Sequence, residues 1–505
     1  MKKILYLLLL AITTTISCTD LEMNPLSQLT DENAYLTKND LLCGLSGVYA
    51  TSGCYLASLF VVNEPCTDEA VVPARGSDWK STALQDLHKH TWTSDNSEIN
   101  GAYTDLSSGI AQANLFIKAL HNSGLTGGDV DIIAAEARFV RAFHYYNMID
   151  MFGNVPIVTD VVDPSNPPSN NTRIEVFNFI ESELKEIAEI LPATSDYGRV
   201  NKNAAYFLLA KLYLNAKIFT GTAQWDKAIQ YCNLVIDDGT YHLADDYQSI
   251  FKWDNDNSPE NIYVYRNSSE TSTWGAGLYI LFYTLHYNQG PQFGLTSGGW
   301  NGYSTTKSFY EKFTSTDKRN YIFLVGQQYG PNGEQLFCRD GITPLIFTPE
   351  YTTAEGMDNA SETDGVRVLK YVPGGPAPLY FLNNDFAIFR FADIVLMKAE
   401  AILRGGVDPK GATALDLVNS VRARAFDAND PARALPSINL DILLDERGRE
   451  FAWELIRRND LIRFGKYDDA WDMKAASNGA FRTLFPIPSQ QIGANKNLTQ
   501  NDGYN

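Results

Sequence analysis

The chain has 505 residues, 44% hydrophobic and 20% charged, which permits a large core and excludes general disorder. Lys and Arg number 41 against 60 Asp and Glu, a formal charge of −19. This acidity argues against nucleic acid, which is held through basic contacts to phosphate, and against adhesion to anionic lipid through a basic patch; neutral ligands such as sugars, and protein partners, stay open.

The N-terminus reads as an export signal. Lys2 and Lys3 precede an apolar run, Ile4 to Ile12, too short to span a bilayer. Thr15-Ile-Ser-Cys18 then places a small residue before a cysteine, the pattern of a bacterial lipoprotein signal, with Thr where Leu is usual. Removal of residues 1–17 leaves Cys18 as the lipidated end; the alternative is an ordinary secretory signal, and both readings export the protein. No later stretch reads as a transmembrane helix. Beyond Cys18 five cysteines remain, Cys43, Cys54, Cys66, Cys232 and Cys338. The odd count argues against a disulfide framework and favours buried free thiols, one bridge among the first three staying open. No CxxC or HExxH spacing supports zinc.

Helical periodicity appears next. Residues 131–152 form an amphipathic helix through Ala135, Phe139, Ala142, Phe143 and Tyr146, with Gly153 placed to end it and Pro156 to stop continuation; 103–121 is its expected partner. A second set is predicted at 173–191, 202–217 and 224–238, and a third at 391–404, 411–425 and 440–457. Helix pairs with small residues at the crossings, such as Ala204, Ala205 and Ala210, resemble tetratricopeptide repeats. The fold class is therefore mostly α: a tetratricopeptide-like scaffold, about 30–240 and 386–470, interrupted by an irregular, loop-rich region with short strands over about 241–385.

That middle region holds the candidate site. Trp274, Tyr283, Tyr287, Trp300 and Tyr303 fall among glycines and polar residues, as in Gly298-Gly-Trp-Asn-Gly302, without core periodicity. Aromatic faces accept the C–H side of a pyranose while neighbouring amides, here Asn288 and Asn301, bond its hydroxyls. The bland alternative is that the rings pack a local core. Pro73-Ala-Arg75-Gly-Ser-Asp78-Trp79 joins an aromatic face to a charged fork; the alternative is a surface turn with an Arg–Asp pair. Trp92 and Asp95 are weaker candidates. Asp254-Asn-Asp256-Asn-Ser258-Pro-Glu260 has oxygen ligands at calcium-like spacing but lacks the glycine and twelfth-position Glu of an EF-hand; a solvated acidic turn is the favoured reading. No other cofactor is expected. The Arg/Glu-rich stretch from Glu446 to Arg463 reads as an ion-pair network holding the last helices. No nucleophile–base motif or phosphate loop is present.

Several segments in order resemble the SusD/RagB family of outer-membrane nutrient-binding lipoproteins: Asp20-Leu-Glu-Met-Asn-Pro25 with Gly47-Val-Tyr49; Glu136-Ala-Arg138-Phe-Val-Arg141 through Phe152-Gly-Asn-Val-Pro156; Asn203-Ala-Ala205 with Leu209-Ala-Lys-Leu-Tyr213; Arg390-Phe-Ala-Asp393 to Glu400; Glu446-Arg447 to Gly465; and Phe485-Pro-Ile-Pro488 with Gln500-Asn-Asp-Gly-Tyr504. Acidic Asp20 and Glu22 after Cys18 resemble a surface-export signal of Bacteroidetes lipoproteins. The resemblance spans nearly all of residues 18–505 as one domain. It implies a lipid-anchored, cell-surface, non-enzymatic glycan binder that delivers its ligand to a SusC-type TonB-dependent transporter. It also implies that Trp274 and Tyr303 stand at ring positions of a starch-binding arc, and that Asn63-Glu64 and Thr67-Asp68-Glu69 lead into a third binding loop. The expected ligand set is Arg75, Asp78, Trp79, Trp274, Tyr287, Trp300, Asn301 and Tyr303. Competing readings are a secreted all-helical glycoside hydrolase and a binder of peptide or another non-sugar nutrient.

Overall fold

The computed structural model describes residues 35–268, 270, 278–377, 382–477 and 479–504. Cys18 and Trp274 lie outside the described residues. Ten helices matter here: α1 (Lys38–Ala50), α2 (Ser97–Asn122), α3 (Gly128–Met151), α4 (Arg173–Ala188), α5 (Lys202–Leu214), α6 (Trp225–Asp238), α7 (Phe391–Leu403), α8 (Ala414–Arg422), α9 (Leu440–Glu450) and α10 (Arg457–Arg463). Each start has a local cause. Asn96 caps α2 and Asn201 caps α5, while Thr37 with Asp40 and Thr172 with Glu175 form capping boxes on α1 and α4. Gly153, at φ 72°, takes the left-handed turn after α3.

Consecutive helices pack in pairs, α2 on α3, α3 on α4, α4 on α5 and α5 on α6, and α7 then docks on α6 despite the long excursion between them. Two strands bridge that gap. Asn261–Tyr265 pairs antiparallel with Phe386–Arg390, which runs directly into α7. The excursion thus leaves and re-enters the scaffold at one place. Phe389 stacks on Phe207 of α5 at 4.3 Å, anchoring the strand pair to the helices. Helix α3 is buried on nearly every side rather than along one stripe, because α1, α2, α4 and the strand pair surround it. Its charged residues answer to neighbours: Arg138 and Arg141 both bond Glu183 of α4, and Glu136 pairs with Arg199.

The Glu446–Arg463 stretch forms the expected network, and it is buried. Arg319 bonds Asp317, Glu446 and Glu450; Arg447 joins Asp393 to Asp460; Arg463 joins Glu400 to Asp460. Glu260 pairs with Arg390 and Arg424, and the Asn255 amide donates to the carbonyls of Ile250 and Asp385. The calcium-like run is therefore split: two of its oxygen-bearing residues turn inward to serve the scaffold.

Two further readings are corrected. Lys38–Asn63 is long and apolar enough to cross a membrane by composition, but half of it is buried inside the protein and a 3-10 turn at Thr51–Tyr55 breaks it. Among the five described cysteines, all free, Cys43 is exposed and only the other four are buried.

Beside this network Trp453 and Leu455 hold left-handed backbone at φ 62° and 59°, a conformation unfavourable for bulky side chains. Their N–H groups are held by buried carboxyls: Trp453 donates to Glu69 and Leu455 to Glu64, the latter at 2.6 Å. Burial raises both carboxyls, Glu64 to about 7; the Glu64 charge raises Glu69 further, whereas a hydrogen bond from Glu69 favours the ionised form of Glu64. A folded-state pKa above the unfolded one gives stability that is full below about pH 4.5 and lost as pH rises through about 7. Buried His88, His90, His144 and His286, all lowered by desolvation, act in the opposite sense below pH ~6.5. A Glu64→Gln variant separates the two. Its unfolding free energy relative to the parent, from urea titrations at pH 5 to 8, should climb as pH rises to about 7 and then level; a flat difference would refute the assignment.

Candidate ligand-binding face

The face is assembled on one short helix, Ile280–Thr284, over which residues 299–303 fold back. Trp300 N–H bonds the Phe282 carbonyl at 2.7 Å, Asn301 N–H that of Leu285 at 2.8 Å, and the N–H groups of Gly302 and Tyr303 both reach that of Tyr283. Close approach explains the glycines. A Cβ at Gly299 would fall on the Leu285 carbonyl oxygen, and one at Gly302 would enter the Trp79 ring.

Trp79 comes from the distant Pro73–Trp79 segment. Its indole N–H donates to the Trp300 carbonyl at 2.7 Å, and its ring meets Tyr283 and Tyr303 edge-on at 6.0 and 5.6 Å. Trp300 stacks on Tyr279 at 5.6 Å and meets Tyr283 at 5.3 Å. Trp79, Tyr283 and Trp300 are half-buried, so three touching rings present part of their surface to solvent. A polar rim adjoins them. The Tyr287 hydroxyl donates to Asp78 at 2.7 Å, and Arg339 donates to Asp78 at 2.7 Å and to Glu362 at 2.6 Å with its guanidinium 4.2 Å over the Tyr287 ring. The Tyr287 hydrogen bond and Arg339 hold Asp78 below its ordinary pKa. Burial opposes ionisation of Glu362, but bonds from the Arg339 N–H, His286 and the Arg339 side chain lower it to about 2. The rim is thus ionised at neutral pH and rich in hydrogen-bonding oxygens.

Three expected ligand residues are corrected to supports. Arg75 is buried, its guanidinium donating to the carbonyls of Asn301 at 2.8 Å, Asp364 at 2.9 Å and Ser361. It ties two loops together and offers nothing outward. Asn301 is fully buried at φ 49°, its side-chain oxygen taking two bonds from Arg367. Tyr303 is sealed among Phe60, Trp79, Tyr283 and Trp453, so it underlies the face. Asn288 is exposed and donates to the Phe337 carbonyl. Trp92 is buried and bonded to the Tyr504 hydroxyl, away from these rings. Arg339 and Glu362 were not anticipated; Arg339 lies 261 residues from Asp78, and no local pattern around it marks a site.

His286, Cys338 and Glu362 bring ligand atoms within 4.8 Å of one another. The Asn288 N–H donates to His286 Nδ1, which puts the ring proton on Nε2, and Nε2 donates to Glu362 at 3.0 Å. These hydrogen bonds brace His286 and Glu362 against each other beneath the rim.

Fold and face together define a tetratricopeptide-like scaffold that carries an aromatic platform built from loops. The comparisons with known proteins agree with the scaffold. The SusD family model matches residues 243–504, and a model described as "starch-binding associating with outer membrane" matches residues 43–214; the chain belongs to the SusD family. Trp79 comes from the second span and residues 279–303 from the first. The starch-binding protein SusD of Bacteroides thetaiotaomicron is 28% identical, with 96% of this chain and 95% of that protein aligned. Among solved structures, a laminarin-binding SusD-like protein superposes with a TM-score of 0.72 at 23% identity, covering 92% of this chain and 99% of that one. Surface glycan-binding protein A from Bacteroides fluxus gives 0.72 at 21%, covering 93% and 100%.

Proposed function

We propose that this protein is a cell-surface glycan-binding lipoprotein, anchored in the outer membrane through Cys18, that captures oligosaccharide or polysaccharide and delivers it to a SusC-like TonB-dependent transporter. The observation that carries the reading is the contiguous, partly exposed set Trp79, Tyr283 and Trp300 beside the ionised rim of Asp78 and Arg339. Rings of this kind gain by covering a sugar's apolar face, and the rim accepts from and donates to its hydroxyls. Relatives named for binding starch, laminarin and surface glycans support carbohydrate as the ligand class. Those names describe binding proteins, in keeping with capture without hydrolysis. The role as proposed uses no cofactor; Glu260, which ends the calcium-like run, is committed to Arg424.

Affinity electrophoresis through soluble starch, laminarin, inulin and xylan tests the reading. The parent should be retarded by at least one polymer, and Trp79→Ala or Trp300→Ala should each weaken that binding by roughly 1–3 kcal/mol while leaving the circular dichroism unchanged. Retardation by none of the four, or full binding by both variants, would reject the assignment. New reducing ends after incubation would indicate a hydrolase instead.

A further inference from the structure

Residues 326–347 build a small sheet of their own. Gly326–Gln327 pairs antiparallel with Ile346–Phe347, and isolated bridges join Tyr329 to Gln335 and Phe337 to Pro344. Burial alternates along all three segments. Leu345, Phe347 and Cys338 form a separate inner core, whereas Tyr329, Phe337 and Ile346 face outward, the two rings 52% and 37% exposed. Side chains on directly paired residues share a side, and alternate residues of a strand do too, so Gln327, Tyr329, Gln335 and Phe337 lie on one outer face. The hydrogen bond from Gln335 to Gln327 crosses that face.

Two large rings left in water beside an amide pair are an unusual surface for a sheet whose inner side is well packed. The chain turns after Phe337, and Arg339, two residues on, lies over Tyr287 and bonds Asp78. The Phe337 carbonyl also accepts from Asn288, next to Tyr287. The small sheet is therefore fastened to the platform's rim and extends it.

We infer that the outer face of residues 326–347, through Tyr329 and Phe337, is a second carbohydrate subsite continuous with the Trp79–Trp300 platform, so that the ligand is a polymer long enough to lie across both. The inference rests on the glycan-binding reading. An aromatic pair beside the exposed Gln335 amide suits a sugar chain leaving the platform: each ring covers a C–H face, and the Gln335 side-chain oxygen accepts from a hydroxyl, while Gln327 is held by backbone carbonyls.

The test is the dependence of affinity on chain length. For whichever of starch, laminarin, inulin or xylan retards the parent protein, binding of the polymer and of its own trisaccharide is measured by titration calorimetry on the parent, on a Tyr329→Ala/Phe337→Ala double variant and on Trp300→Ala. Both positions face solvent, so the inner core of the small sheet stays intact. The parent should bind polymer more tightly than trisaccharide. The double variant should lose about tenfold in polymer affinity and change little toward the trisaccharide, whereas Trp300→Ala should weaken both. Unchanged polymer affinity in the double variant, or a parent that binds trisaccharide as tightly as polymer, overturns the second subsite and leaves the platform standing. A parent that binds none of the four polymers overturns both.

Discussion

Arg390→Ala should destabilise the protein by about 3–5 kcal/mol, the cost of stripping one partner from a buried ion cluster. Arg390 ends the strand that re-enters the scaffold, and only 2% of it is exposed. Its guanidinium bonds Glu454 at 2.7 Å, Glu450 at 2.8 Å and Glu260 at 3.2 Å, and donates to the Glu450 carbonyl at 2.6 Å. It also lies 4.3 Å over the Phe451 ring. Its removal leaves carboxylates without water or a full set of counter-charges, and the crossing of strand, α7 and α9 loses its common joint. Urea unfolding followed by tryptophan fluorescence should show a much lower midpoint. Should the alanine variant be recovered only as aggregate, Glu454→Gln serves as the milder probe: it keeps the shape, weakens one arm and should lower the midpoint by a smaller amount. Unchanged midpoints in soluble variants would show that the cluster does not hold the re-entry point.

The helices were legible because their signals are local. The apolar stripe of 131–152 and the terminating Gly153 each act within a few residues, and the structure places a helix there. Short strands were expected within the middle region, and Asn261–Tyr265 is one of them. Arg75 shows where local reading stops. Its turn is real, since Arg75 and Asp78 exchange backbone hydrogen bonds at 2.8 and 3.1 Å, yet its side chain points inward. What draws it there are three carbonyls, on residues 301, 361 and 364, which need donors and lie more than 200 positions away in sequence. The same holds for Tyr303: an aromatic among glycines reads as exposed, and only the packing of Phe60 and Trp453 against it shows that it is not. Arg339 was invisible for the converse reason, because its partners Asp78, Tyr287 and Glu362 converge only in three dimensions.

The platform depends on backbone contact at Gly299 more than on any single ring, which makes Gly299→Ala the substitution with the largest expected effect on ligand binding. Trp300 and Asn301 are placed by hydrogen bonds to Phe282 and Leu285, and those bonds require residue 299 to lie directly against the Leu285 backbone. A methyl group there meets a carbonyl oxygen and carbon, which cannot swing aside as a flexible side chain would. The 299–303 segment must lift, carrying the Trp300 ring with it and releasing the carbonyl that holds the Trp79 indole. Two of the three platform rings are displaced at once. Binding of the retarding polymer should therefore fall further than in either Trp→Ala variant, by at least about tenfold, with a stability loss of about 1–3 kcal/mol. Gly493→Ala is the matched control, because a Cβ there meets nothing within 4 Å, and it should bind as the parent does. A Gly299→Ala protein that keeps parental affinity would mean that the rings hold their places without this backbone contact, and the platform would have to be assigned to other residues.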